Sequence, residues 1–192
     1  MKTTLLVAAM TVLPSARTLV SPESTNDHGN AGSAVATTVL RTVADLDDPT
    51  IVAIFDAANT ADIETGKLAV SKGSTKEIRD FGAMLARDHA NVRQQGRDLA
   101  KKLHVTPTPP ADDAGARDHA AAMASLRKLS GKDFDRAFLA HEVAYHAAVI
   151  AAVTNTLLPA IKNAELKELV VKVAPAFEAH RKAAEAMQKN VM

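Results

Sequence analysis

The chain has 192 residues, enough for one domain with a full hydrophobic core. Apolar residues make up 47% of it and aromatic residues only 3%, a balance that favours packed helices over strands. A net charge of +1 with both signs interspersed leaves no electrostatic footprint for nucleic acid, and the lack of cysteine removes disulfides, thiolate metal sites, cysteine nucleophiles and cysteine-linked lipid anchors.

In chain order, Lys2 precedes a mostly apolar run over residues 3–13. The run resembles a short secretory signal and is too short to span a bilayer as a mature helix. Residues 1–16 are therefore expected to be a signal peptide, although Pro14 before Ser15 and Ala16 is a poor cleavage context. Residues 17–48, rich in Ser, Thr, Asn and Gly, read as a flexible leader. An exported, periplasmic location follows, with the cytoplasm as the alternative.

From Pro49 the apolar residues fall at helical spacing. A first helix is expected over about 50–71, with Ile51, Phe55, Ala58, Asp62, Gly66 and Ala69 along one stripe. Ser74, with Glu77 three residues on, reads as the capping box of a second helix reaching about His104. Its stripe is Ile78, Phe81, Leu85, Val92, Leu99 and Leu103. The prolines at 107, 109 and 110 then break the chain, and a short connecting helix is expected over about 114–129. Ser130 with Asp133 reads as the cap of a third long helix, over about 132–157, that Pro159 closes. Asn163 can cap the last helix, about 164–189, in which Pro175 predicts a kink because Leu166, Leu169, Val170, Val173, Phe177, His180, Ala184 and Met187 stay in phase across it. Two long helices, a crossover and two more long helices predict an all-α, four-helix bundle over residues 49–190.

The chemistry is carried by polar residues that interrupt the stripes. Asp62 lies at the centre of the first stripe, with Asn59 near its edge. Asp88 and His89 straddle the line from Leu85 to Val92, and His180 falls between Phe177 and Ala184. On the third long helix, "HEVAYH" places His141 and His146 five apart, about 140° around the axis, so the two cannot share a metal as in H-E-x-x-H. Glu142 and His146 are four apart and do share a face. With Phe138, Tyr145, Val149 and Val153 taken as the core side, both point inward. His141 lies nearer the edge, and His28, His104 and His119 read as exposed or terminal.

Each long helix thus offers at least one ligand to a common interior: Asp62, Asp88, His89, Glu142, His146 and His180. Histidines mixed with carboxylates suit zinc, iron or copper better than calcium or magnesium. The same residues also suit a buried hydrogen-bonded network that carries no metal, because an unpaired buried carboxylate costs several kcal/mol. Tyr145 reads as a core residue whose hydroxyl finds a partner.

The run "AANTADIETGKLAVSKGSTKEIRDFGAMLARDHANVRQQGRDLAKKLHV", with "LSGKDFDRAFLAHEVAYHAAV" and "APAFEAH", resembles the DUF4142 family of bacterial proteins. The resemblance implies a ferritin-like four-helix bundle, often exported, whose biochemical activity is unassigned. Asp88, His89, Phe134, Asp135, His146, Pro175 and His180 match the family pattern. Asp62 stands where the family usually has glutamate, Ala174 where it usually has leucine, and Glu142 is not a hallmark. The Glu-x-x-His motif of di-iron carboxylate bundles does not occur in the chain, which argues against ferroxidase or oxygenase chemistry. Three readings remain: an exported metal-binding bundle, a structural or interaction protein of the cell envelope, and a metal-dependent redox enzyme. The mature chain is expected to have no transmembrane helix.

Overall fold

The computed structural model describes residues 46–191, and the expected signal peptide, nearly all of the expected leader and His28 lie outside that range. Helix α1 is Asp48–Lys72, α2 is Lys76–Lys102, α3 is Ala114–Arg127, α4 is Gly131–Ala152 and α5 is Ala164–Val191. Among the described residues there are no strands.

Start signals lie one or two residues from where spacing places them. Asp47 caps α1 by accepting from the Thr50 amide at 2.9 Å, so the end of the expected leader belongs to the fold. Thr75, rather than Ser74, caps α2 through the Ile78 amide. Ser130 is the N-cap residue of α4, yet its side chain makes no capping bond. Asn163 caps α5 as expected, through the Leu166 amide at 3.0 Å. Pro175 faces solvent, and α5 runs unbroken through it. Before Pro159, which can donate no backbone hydrogen bond, α4 widens into a π turn over Val153–Leu157, with the Leu158 amide donating to the Val153 carbonyl.

Two polar clamps fix the topology. At one end the Asp135 carboxylate, near the start of α4, accepts from the Ser74 amide at 2.9 Å and from its hydroxyl. Ser74 also precedes α2, so α2 and α4 start at the same end. At the other end Asp48, starting α1, accepts from the Lys162 and Asn163 amides at 2.9 Å each, just ahead of α5. The order is therefore up, down, down, up, and the crossover from α2 to α4 runs the length of the bundle. Within the crossover, α3 is held to α1 by Lys72 donating to the Arg127 carbonyl and by the His119–Glu64 pair at 2.9 Å. His119 is therefore a packed residue rather than a free one.

Helices α1 and α2 approach closely at Gly66 and Gly82. A Cβ on Gly66 would stand 2.6 Å from the Gly82 carbonyl oxygen, and one on Gly82 would stand 2.6 Å from that of Gly66. The apolar core falls into two clusters. One holds Ile51, Phe55, Val92, Val170 and Phe177, and the other Ile78, Leu85, Phe134, Phe138 and Ala184. The stretch Gly131–Ala160, which holds an 18-residue window of mean hydropathy 1.4, is long and apolar enough to cross a membrane by length and composition. In this fold it forms a bundle helix with Glu142 and His146 turned inward.

Candidate metal centre

Between the two apolar clusters, near the midpoint of every long helix, the interior turns polar. Asn59, Asp62, His89, Glu142, His146 and His180 are all buried there, and no lysine or arginine is buried among the described residues. Helical spacing explains the placement. His89 follows Leu85 by four residues, His146 follows Glu142 by four, and His180 follows Phe177 by three, so each sits on its helix's core-facing line.

The three imidazoles form a triangle. Ring centroids are 5.5 Å apart for His89 and His146, 5.1 Å for His89 and His180, and 5.5 Å for His146 and His180. The Phe177 ring stacks on His89 with planes 6° apart, which walls one side and fixes the imidazole's rotation.

Each imidazole has one nitrogen engaged by an oxygen acceptor, and that fixes its tautomer. The Asn59 amide donates to the Phe55 carbonyl, so its oxygen is left to accept from His89 Nδ1 at 3.0 Å. Asp62 Oδ2 stands 3.4 Å from the same nitrogen. His146 Nδ1 donates to the Glu142 carbonyl at 3.0 Å. His180 Nε2 donates to Asp88 Oδ2 at 3.3 Å. The opposite nitrogens, His89 Nε2, His146 Nε2 and His180 Nδ1, are then lone pairs. His89 Nε2 and His180 Nδ1 face one another at 3.2 Å, and His146 Nε2 has no hydrogen-bond partner. Ring nitrogens of the three residues lie within 4.8 Å of one another. Two nitrogens on one tetrahedral zinc-like ion stand about 3.3 Å apart, which is the separation His89 and His180 already show.

Burial keeps these donors neutral. It pushes His89 down to about 2, helped by the neighbouring imidazoles, and His146 to about 4. His180 is also lowered by burial, against the pull of Asp88. The carboxyls shift the other way: burial raises Glu142 to about 8, and burial together with the Glu142 charge raises Asp62 well above the usual range. Asp62 Oδ1 and both Glu142 oxygens are buried without a hydrogen-bond partner.

Of the six residues expected inside, five are. Asp88 is the exception: about a third of its side chain is exposed, and it holds the far nitrogen of His180 while Arg87 holds its other oxygen. It orients a donor rather than facing the interior. Spacing placed Asn59 only near the edge of its stripe, yet it is 2% exposed and sets the tautomer of His89. Tyr145 is half-buried and donates to the Ala58 carbonyl at 3.1 Å, as a core tyrosine should. His141 stacks on Tyr145 outside the triangle, lowered to about 4 by burial.

A helical bundle with three histidines converging on its axis is the class that this fold and site define. The chain belongs to the DUF4142 family, described as a domain of unknown function, whose model matches residues 33–187. No curated protein matches the chain. Among solved structures, a DUF305 fragment from Deinococcus radiodurans is similar at a TM-score of 0.65 and 14% identity, covering 74% of this chain and 95% of that one. CopM in the Cu(II)-bound form is similar at a TM-score of 0.59 and 16% identity, covering 76% and 98%. At such identities the likeness is one of fold.

Proposed function

We propose that the protein binds a transition-metal ion of the copper or zinc class through His89 Nε2, His146 Nε2 and His180 Nδ1. The carrying observation is that an oxygen acceptor holds one nitrogen of each imidazole from behind, leaving three neutral lone pairs on residues whose ring nitrogens come within 4.8 Å of one another. Neutral imidazole is a ligand for zinc, copper and iron alike, and general affinity order favours copper(II) over zinc. The Cu(II)-bound state named for CopM, a protein of similar fold, accords with that choice.

The competing reading is a buried hydrogen-bonded network with no metal. It accounts for Asn59, Asp88 and the Glu142 carbonyl, but leaves His146 Nε2 without a partner and the lone pairs of His89 Nε2 and His180 Nδ1 facing each other at 3.2 Å. A cation satisfies such atoms directly. The reading assigns binding and no reaction. Export to the cell envelope belongs to the same proposal, supported by the signal-like run over residues 3–13.

The test is elemental mass spectrometry on untagged, chelator-free protein. Near-stoichiometric copper or zinc that disappears in His146→Ala is the expected result. Metal-free protein whose melting temperature does not respond to added copper, zinc or iron would sink the reading in favour of the network.

A further inference from the structure

The unsatisfied atoms do not all belong to the histidine triangle. Oxygens of Asp62 and Glu142 and a ring nitrogen of His146 form a second group within 4.8 Å of one another. Asp62 is 3% exposed and Glu142 is 0% exposed, and the two carboxyls adjoin each other. The groups beside Glu142 that can donate are the Thr65 hydroxyl and His146 Nδ1, the latter 3.4 Å from Glu142 Oε2 but bonded to the Glu142 carbonyl, so no cationic side chain meets either carboxyl. His146 Nε2 stands 3.9 Å from Asp62 Oδ1, within the span of two ligands on one ion once either side chain adjusts. Two carboxylates so buried, with no lysine or arginine near them, are costly unless something cationic joins them.

We infer that Asp62, Glu142 and His146 form a second cation position with a mixed oxygen and nitrogen shell, and that it shares His146 with the three-histidine position. The inference rests on the metal-binding reading and divides its interior in two. One end offers three imidazoles and suits copper or zinc. The other offers two carboxylates and one imidazole, and suits an oxygen-preferring divalent ion such as manganese(II). A divalent ion balanced there by two carboxylates buries no net charge, whereas three neutral imidazoles balance none. His146 Nδ1 is held by the Glu142 carbonyl, so only Nε2 is free and it can serve one ion at a time. The two positions are therefore alternatives, and occupation of one empties the other.

Metal-stripped full chain would be titrated with manganese(II), read from the paramagnetic-resonance signal of the free ion, and separately with zinc in a chelator competition. The wild type is expected to take up one manganese and release it when one equivalent of zinc is added. Glu142→Gln and Asp62→Asn should each weaken manganese by about tenfold or more while leaving zinc within about threefold, and His89→Ala should do the reverse. Two results would overturn the inference alone: a wild type that holds zinc but no manganese, or one that holds both ions together. Equal loss of both ions in Glu142→Gln would do the same, since it would make Glu142 part of a single site. Protein that holds neither ion would remove the three-histidine reading as well.

Discussion

Glu142 is fully buried, a position hostile to a charge, and the metal-free protein should show it. Unfolded, its carboxyl titrates near 4.5, whereas folded it keeps its proton until about pH 8 because of burial. Between those values the unfolded chain releases a proton that the folded chain retains, so stability falls as pH rises from 4.5 to 8. His146 acts in the opposite sense over a lower window. Its folded value of about 4 lies below 6.5, so its contribution is complete above 6.5 and is lost as pH falls toward 4. Metal-free Glu142→Gln should therefore melt above the wild type at pH 8, by several °C, with the difference gone near pH 4.5. Thermal melts at the two pH values decide it, and an equal gain at both would detach the effect from protonation. Asp88 makes a different prediction, because it holds His180 from behind and lies outside the triangle. Asp88→Ala should weaken copper or zinc by about 10–100-fold in a chelator competition without changing the number of ions bound. Loss of a whole equivalent would instead make Asp88 a ligand.

Among the elements, those with sharp stripes were legible and the alanine-rich one was not. On α5, Leu166, Val170, Val173, Phe177, His180 and Ala184 are buried as the 3.6-residue period requires, with Leu169 and Met187 half-buried at the edges of the same stripe. Of the expected α4 core line, Phe138 and Val153 are buried while Tyr145 and Val149 are half-buried, and Phe134, Leu139, Glu142 and His146 complete the buried face. Alanine contrasts too little with its neighbours to orient a helix sharply, so the inward placement of Glu142 and His146 rests on their i, i+4 spacing and on a core line of which only half is buried. Ser74 read as a cap because serine fits that role, but Asp135, sixty-one residues away, claims its amide and hydroxyl. Periodicity cannot see such a partner, nor the acceptor role of Asn59, which depends on α2 coming close to α1. That approach rests on two glycines, and it yields a prediction for the element pair. In Gly66→Ala the new Cβ meets backbone, the Gly82 carbonyl oxygen at 2.6 Å and the Ala86 amide nitrogen at 2.9 Å, so no flexible side chain can yield. The helices must part, at a cost of about 1–3 kcal/mol or more, and metal affinity should fall with stability because Asp62 and His89 ride on those two helices. A variant that melts like the wild type would show that the close approach is not required.

At the scale of the whole molecule, the site lies between two clamps at opposite ends of a long bundle. Asp135 ties the start of α4 to the α1–α2 turn, and Asp48 ties the start of α1 to the α4–α5 turn. Each joins one helical hairpin to the other, so together they fix the relative height of the pairs that carry Asp62 and His89, and Glu142, His146 and His180. Asp135 is 1% exposed while Ser74, whose amide and hydroxyl it accepts from, is exposed, so water recovers part of the loss and Asp135→Ala should cost about 1–2 kcal/mol. Asp48 lies in a wetter place, where water can replace it, and Asp48→Ala should cost about 1 kcal/mol. The clamps stand about 37 Å apart, the length of the 25-residue α1, with no shared partner. In a bundle that unfolds as one unit the double variant should therefore lose the sum of the single losses within about 0.5 kcal/mol. Denaturant melts of the four proteins measure the sum directly. A double loss well below it would mean that one clamp suffices to dock the hairpins. A loss well above it would mean that they separate once neither clamp is left, taking His146 and His180 away from His89 in a single step.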